Sequence, residues 1–502
     1  MGKKKHNRKN KSENSIIYFE DSFIDSDEYE MYSQYDESEN DSDYDDYDGH
    51  DSYANSDDDC HDDYAYGDDD KLPVDIAYII TCRILKHEKL LVVNGSIWRY
   101  VNKTGAFVQM QDDTAEMMIE NYYTKNEYRL AKPSLASEIK TRICRHHDLQ
   151  AKYEDFNTNL NLINCKNGVV SIGTESCILL EHSPKYHFTY CIHAKFLTEA
   201  AKTPDFDSYC NTSLGGEKKK RKLLLQMIGY GCSDMTNAKK AFFLKGEPDS
   251  GKSMILHFLE KLVGIEAVSN IPLHALGERF NKADLFSKKL NVCGEIKNVK
   301  LNDISYLKSF TGSDRISAEF KHGKIFSYTP TAKHFYAGNA LPISEEDEAT
   351  KAFINRICLL VFPYSIPKEM QDPDLDKKIW KERDAIFTAA VNTLPKLVEK
   401  NFKFSEPDDS LIYLKYYEEN GNSLDMFVTD RCDFDPNGST PVQEFRTAYS
   451  DYCERNALEI IGKTKMNSRL LEKHKVPRSR IHRKNSNIHH FVGIVLKKTV
   501  AE

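Results

Sequence analysis

Ala241-Phe-Phe-Leu-Lys245, then Gly246-Glu247-Pro248-Asp249-Ser250-Gly251-Lys252-Ser253, then Met254-Ile-Leu-His-Phe-Leu-Glu-Lys-Leu-Val-Gly264 is the stretch that decides the fold. The first run reads as a buried strand, and the last carries apolar residues at helical spacing. The residues between them fit G-x-x-x-x-G-K-[ST], and a strand before and a helix after are the context in which that pattern means a P-loop. Gly246 and Gly251 let backbone N–H groups curl around phosphate oxygens, with Glu247, Pro248, Asp249 and Ser250 as the loop between them. Lys252 is placed to reach the β- and γ-phosphates and Ser253 to ligate Mg2+, while the positive end of the helix favours the anion. The expected ligands are therefore ATP and Mg2+. A glycine-rich turn ahead of a helix is the plainer alternative, which the flanking strand and helix disfavour.

Further along, Leu290-Asn-Val-Cys-Gly294-Glu295 reads as a short strand ending in a carboxylate. Glu295 is the Walker B candidate, able to hold the metal through water or to polarise the water that attacks the γ-phosphate. Next, ISAEF and KIFSY are alternating strands around a KHG turn, which exposes Lys321, His322 and Lys324 together. Phosphate contact is the natural use of such a cluster; taken alone, KHGK is also an ordinary soluble hairpin tip. The strand KHFYAG then ends in Asn339, just before Leu341-Pro342.

This order of P-loop, strand with Glu295, Lys308…Thr311-Gly312…Asp314, basic hairpin and strand ending in Asn339 resembles the superfamily 3 helicases. More narrowly, it is similar to the phage/plasmid and poxvirus-type primase-helicases. The resemblance implies an α/β fold with a P-loop AAA+-like ATPase core built on a parallel sheet, assembled as a homo-hexamer. It also implies that the hairpin enters the channel of the ring and grips the DNA backbone, and that Asn339 senses the γ-phosphate. In DEATKAFINRICLLVFP it marks Arg356 as a finger reaching the neighbouring subunit's nucleotide, with Lys351 a second candidate. Two positions depart from the family: Gly294 stands where an acid often precedes Glu295, and Ser250 stands where Asn is frequent.

Around this core, the resemblance gives residues 72–215 as a small α+β helicase-associated domain, 216–400 as the ATPase core and 408–498 as a winged-helix DNA-binding domain. In the last, Lys473, Lys475, Arg478, Arg480, Arg483 and Lys484 crowd together, and Arg478 and Arg480 are the expected DNA contacts. Residues 1–70 carry 24 Asp and Glu against 6 Lys and Arg, leaving 54 against 63 in the rest of the 502-residue chain. That tail is low in complexity and reads as disordered; the basic body is suited to a polyanionic partner.

The twelve cysteines form no C-x-x-C pair, so reduced thiols and a cytoplasmic setting are expected, with no membrane span. No strand presents paired carboxylates as a primase would need, so primer synthesis is not expected. The expected function is an ATP-dependent DNA helicase or translocase that replicates a virus, phage, plasmid or integrated element, served by a separate primase or initiator protein. The alternatives are a DNA-binding ATPase that remodels or loads replication proteins without unwinding, and a small-molecule P-loop kinase.

Overall fold

The computed structural model describes residues 75–294, 304–321, 325–342, 347–419, 422–455, 458, 460–483 and 486–497. The acidic tail, Glu295, His322, Lys324 and Lys484 lie outside the described residues.

The described chain begins with the helix Ile76–His87, as its apolar spacing predicts. It packs Ile80 and Ile84 with Ile119, Ile139 and Ile143 of the helices Asp112–Glu120 and Ser134–Arg145. Strands β1 (Leu90–Val93), β2 (Ser96–Val101), β3 (Ala106–Gln109) and β4 (Gln150–Ala151) form a sheet in the order β3-β2-β1-β4. The β1–β2 turn is Asn94-Gly95, with φ of 50° and 80°, the twist that a two-residue hairpin requires. A second antiparallel sheet joins β5 (Leu162–Cys165), β6 (Gly168–Ile172) and β7 (Cys177–Leu180); Asn167-Gly168 reads as the β5–β6 turn, but the turn residues are Lys166 and Asn167, and Gly168 already pairs with Cys165. Its apolar side chains share one core with the helices Pro204–Leu214 and Lys218–Cys232 and with the large sheet that follows, so packing runs across the 215/216 boundary.

That large sheet is parallel, formed from β8 (Ala241–Gly246), β9 (Val268–Ser269), β10 (Leu290–Cys293), β13 (Lys333–Gly338) and β14 (Ile357–Phe362). In space the order is β14-β8-β13-β10-β9. β8 is buried on both faces, which is why it reads as a continuous apolar run rather than an alternation. On one face Phe242 and Leu244 meet Ile255, Leu256 and Leu259 of the helix Lys252–Val263. On the other, Phe243 and Tyr336 meet Phe353 of the helix Asp347–Ile354. Each such side chain taken fully out of water contributes roughly 1.5–3 kcal/mol.

The connections follow from the order. The chain leaves β8 toward β9 at one edge and leaves β13 toward β14, across β8, near the other. Right-handed crossovers running in opposite directions lie on opposite faces, so the chain parts above and below the sheet at the C-terminal ends of β8 and β13. A crevice at that point is where ligands of parallel sheets bind.

β11 (Ile316–Glu319) and β12 (Ile325–Tyr328) make the expected separate hairpin. Beyond the core, the helices Asp408–Glu419, Ser423–Arg431, Val442–Arg455 and Lys463–Glu472 precede β16 (Arg478–Arg483) and β17 (Ser486–Leu496). Two features differ from the sequence reading. Apolar spacing over 408–428 reads as a single helix, and the structure has two, because Asn422 caps a new one by accepting from the N–H groups of Leu424 and Asp425. A third strand, β15 (Cys432–Pro441), pairs with β17 to give the order β15-β17-β16. Its Asp-Phe-Asp-Pro-Asn-Gly composition reads as a loop, and a register shift between Phe434 and Ser439 absorbs the residues that do not suit a ladder. Phe427, Phe445, Tyr449, Leu470 and Phe491 form a separate core there. Each described cysteine is a free thiol, and no described helix is long and apolar enough to cross a membrane.

At the N-terminal ends of β10 and β13 two lysines are buried beside one carboxylate. Lys289 Nζ lies 2.8 Å from Asp234, which also accepts from Tyr190 at 2.6 Å. Lys333 donates only to the Thr331 carbonyl in this set, and burial, then repulsion from Lys289, pushes it down to about 7. The unfolded chain therefore binds the extra proton between about pH 7 and the ordinary value of 10.5, so this residue's penalty is full below pH 7 and fades as pH rises. Lys333→Met should raise the melting temperature at pH 7, by about 1–4 kcal/mol of stability, and flatten its rise with pH. Thermal melts across that range check it.

Candidate functional site

The loop Glu247–Gly251 leaves the C-terminal end of β8 and feeds the helix Lys252–Val263 at the crevice described above. Its turns need unusual backbone: Gly251 sits at φ +93°, where a Cβ would fall 2.4 Å from Ser213 Oγ and 3.1 Å from the Tyr209 ring. At Gly246 a Cβ would lie 2.7 Å from Phe362. Both glycines are thus sterically required, one by conformation and both by close approach.

The loop is braced from outside. Tyr209 donates to the Gly251 carbonyl at 3.0 Å, Ile366 N–H to that of Asp249 at 2.9 Å, and Ser365 to that of Pro248 at 2.9 Å. Lys252 curls back over the loop, its Nζ donating to the carbonyls of Gly246 (2.7 Å) and Glu247 (2.6 Å) and to Ser250 Oγ (3.0 Å). Burial, countered by Glu247, holds its pKa below the ordinary lysine value. An anion arriving at the helix N-terminus would supply the charge this amine lacks.

Beside the loop opens a cavity of about 460 Å³. The helix Pro204–Leu214 lines it with Asp205, Ser208, Tyr209 and Thr212, and the segment after β14 with Ile366, Met370 and Gln371. The sequence reading missed this wall. Its only trace there is the spacing of Asp205, Ser208, Tyr209 and Thr212, which puts them on one face of a helix.

Asn339 is exposed and directly follows β13, whose Gly338 pairs with Lys245. It is therefore level with Gly246 on the adjacent strand, and Leu341 and Pro342 beyond it are held by the helix Asp408–Glu419, where Tyr417 donates to the Pro342 carbonyl. Lys245 lies 4.4 Å from the Tyr413 ring of that same helix.

Arg356 is at the other end of the sheet. Its carbonyl accepts from Ala241 N–H at the start of β8, and Phe362, not Arg356, is level with Gly246. Six strand residues separate it from its own loop, roughly 20 Å. Its Nη1 is buried without a hydrogen-bond partner among the described residues.

The structure does not bring the expected DNA contacts into this site. Lys321 is exposed at the end of the β11–β12 hairpin. Arg478 and Arg480, two apart on β16, share one exposed face; burial, then these two cations, hold His489 below the ordinary histidine value. Lys473, counted in the same basic run, is instead bound to Asp425 at 2.7 Å. Of the expected metal ligands only Ser253 is described, in the first turn of its helix. The described trio of groups at metal-ligating distance, His146, His147 and Asp148, shares no residue with the cavity.

Two parts of the chain resemble different known families. Residues 77–215 match the family described as D5 N terminal like, and residues 244–356 match a family of unknown function, DUF5906. The second match begins within β8 and ends at Arg356. No curated protein matches the chain. Solved structures of the NrS-1 C-terminal region are 10–12% identical over 83% of this chain and 98–99% of theirs, with TM-scores of 0.42–0.43. The match over 77–215 supports the resemblance to phage primase-helicases and does not select superfamily 3 among them.

Proposed function

We propose that the chain is an ATP-driven DNA helicase or translocase of the superfamily 3 type, acting as a ring in the replication of a virus, phage, plasmid or integrated element. The observation that carries this reading is the glycine loop with Lys252 folded over it, at the crevice where the chain parts around a parallel sheet. The triphosphate would rest on the loop amides, with Lys252 turning from the carbonyls of Gly246 and Glu247 to the phosphates. The nucleoside would occupy the cavity beside Tyr209 and Thr212. Ser253, with Glu295, would hold Mg2+, which when bound neutralises charge on the phosphates. Asn339, level with Gly246, is suited to contact the γ-phosphate and to pass its state to Leu341, Pro342 and the helix Asp408–Glu419.

The ring reading turns on Arg356. From roughly 20 Å along the sheet it cannot serve its own nucleotide, so the finger role requires an adjacent subunit. In this reading the core is AAA+-like, the hairpin with Lys321 enters the channel, and the C-terminal helices and sheet act as a winged helix offering Arg478 and Arg480 to DNA phosphates.

The test is ATP turnover by the full chain with and without single-stranded DNA, beside strand displacement on a forked substrate. DNA-accelerated turnover with ATP-dependent displacement is expected. Turnover indifferent to DNA would sink the reading, and acceleration without displacement would favour a remodelling or loading ATPase.

A further inference from the structure

The β11–β12 hairpin carries more than cations. Along its inner face Ile316 and Ala318 lie across from Tyr328 and Phe326, and this packing closes over Ala283 and Phe286. Phe320 continues the same parity one step past the last cross-strand pair, Glu319 with Ile325. The result is a row of three rings. Tyr328 and Phe326 are stacked at 5.9 Å and 26°, and Phe326 and Phe320 at 5.1 Å and 17°. Phe286 stands edge-on to all three.

The row changes character toward the tip. Tyr328 is 8% exposed and Phe326 half-buried, whereas Phe320 is 48% exposed. The next residue is the exposed Lys321. A soluble turn has no need of a half-open aromatic ring, and one that only anchored the hairpin would be expected to be closed off as Tyr328 is, whereas Phe320 touches Phe286 with its edge and leaves half its surface open. A stacked row that ends in an open ring beside a cation has instead the two elements by which proteins hold single strands: a charge for the phosphate and a π-face for the base. In a duplex the bases are already stacked on both sides, so the fitting ligand is a strand with an unstacked base.

We propose that Phe320 is a base-stacking residue for single-stranded DNA, extending the Tyr328–Phe326–Phe320 row by one nucleobase while Lys321 contacts the adjoining phosphate. This rests on the reading of the hairpin as a DNA contact. It adds to that reading a preference for single strands and a residue that is not charged.

The test compares the full chain's affinity for a labelled single strand and for the same strand made abasic throughout, in wild type, Phe320→Leu and Phe320→Trp. Leucine keeps an apolar cover over Phe326 but offers no π-face. Wild type is expected to prefer the base-containing strand by about 5- to 150-fold, the equivalent of one stacked base. Phe320→Leu should lose that preference at an unchanged salt slope, and Phe320→Trp should keep it. Equal binding of both strands by wild type overturns the stacking role while leaving the DNA reading intact. Binding of neither strand overturns both. A preference that survives Phe320→Leu, or a Phe320→Leu change that lowers assembly mass without touching the preference, overturns the role by assigning the ring to the hairpin or to a neighbouring copy.

Discussion

Lys252→Ala is expected to cut DNA-stimulated ATP turnover by a factor of about 10²–10³, the scale of losing one preorganised charge-stabilising donor, and to abolish strand displacement. That factor is about 3–4 kcal/mol of barrier. The reason is local. Lys252 is the one loop side chain whose amine touches three loop atoms at 2.6–3.0 Å, and it stands at the start of a twelve-residue helix aimed at the crevice. Its loss costs little in folding, because burial already opposes the charged amine, which offsets the hydrogen bonds removed with it. A melting temperature within a few degrees of wild type, with turnover gone, is the expected pair of results. Turnover preserved in the variant would remove the loop from the chemistry.

Asp425→Ala is expected to destabilise the C-terminal helices and sheet on the order of 1–3 kcal/mol, the cost of leaving the partly exposed Arg469 and Lys473 without their partner. The Asp425 side chain is fully buried, and it accepts from Arg469 Nε at 2.9 Å, Lys473 at 2.7 Å and His474 at 2.7 Å. Burial pushes its carboxyl up, but the hydrogen bonds from His474, Arg469 and Lys473 together outweigh this and hold it well below the carboxylate range. Because the folded value is the lower one, the stabilisation is complete above the ordinary value of 3.8 and is lost as pH falls from there toward the folded value. Hydrogen exchange along Ser423–Arg431 and Lys463–Glu472 reads the effect, since both helices close on the core of Phe427, Tyr449 and Leu470. Protection unchanged in the variant would mean that packing alone holds them.

Most of the architecture around the loop was legible because its signals are local. Ala241–Leu244 and Phe335–Ala337 are buried and read as short apolar runs, and both belong to central strands. The hairpin was legible from its alternation, and the β5–β6 turn to within one residue from Asn167-Gly168. β15 was not, since a strand rich in Asp, Pro and Gly exists only because β17 offers it an edge. The helix break at Asn422 was hidden by apolar spacing on both sides, with a cap whose partners are backbone groups. Asp425 carries no local signal, because its partners Arg469, Lys473 and His474 lie more than forty residues away.

What the sequence by itself determined is the order of the elements and the chemistry of the loop, because glycine conformations, strand burial and helix spacing are set by neighbours along the chain. Tertiary structure alone decided which residues share a site. Parallel pairing brings Asn339 level with Gly246 and carries Arg356 to the far end of the same sheet. It also sets the helix Pro204–Leu214 as a wall of the cavity and leaves Phe320 open at the end of its row. Those placements come from strand register and long-range packing, which act between residues too distant in sequence for any local pattern to register.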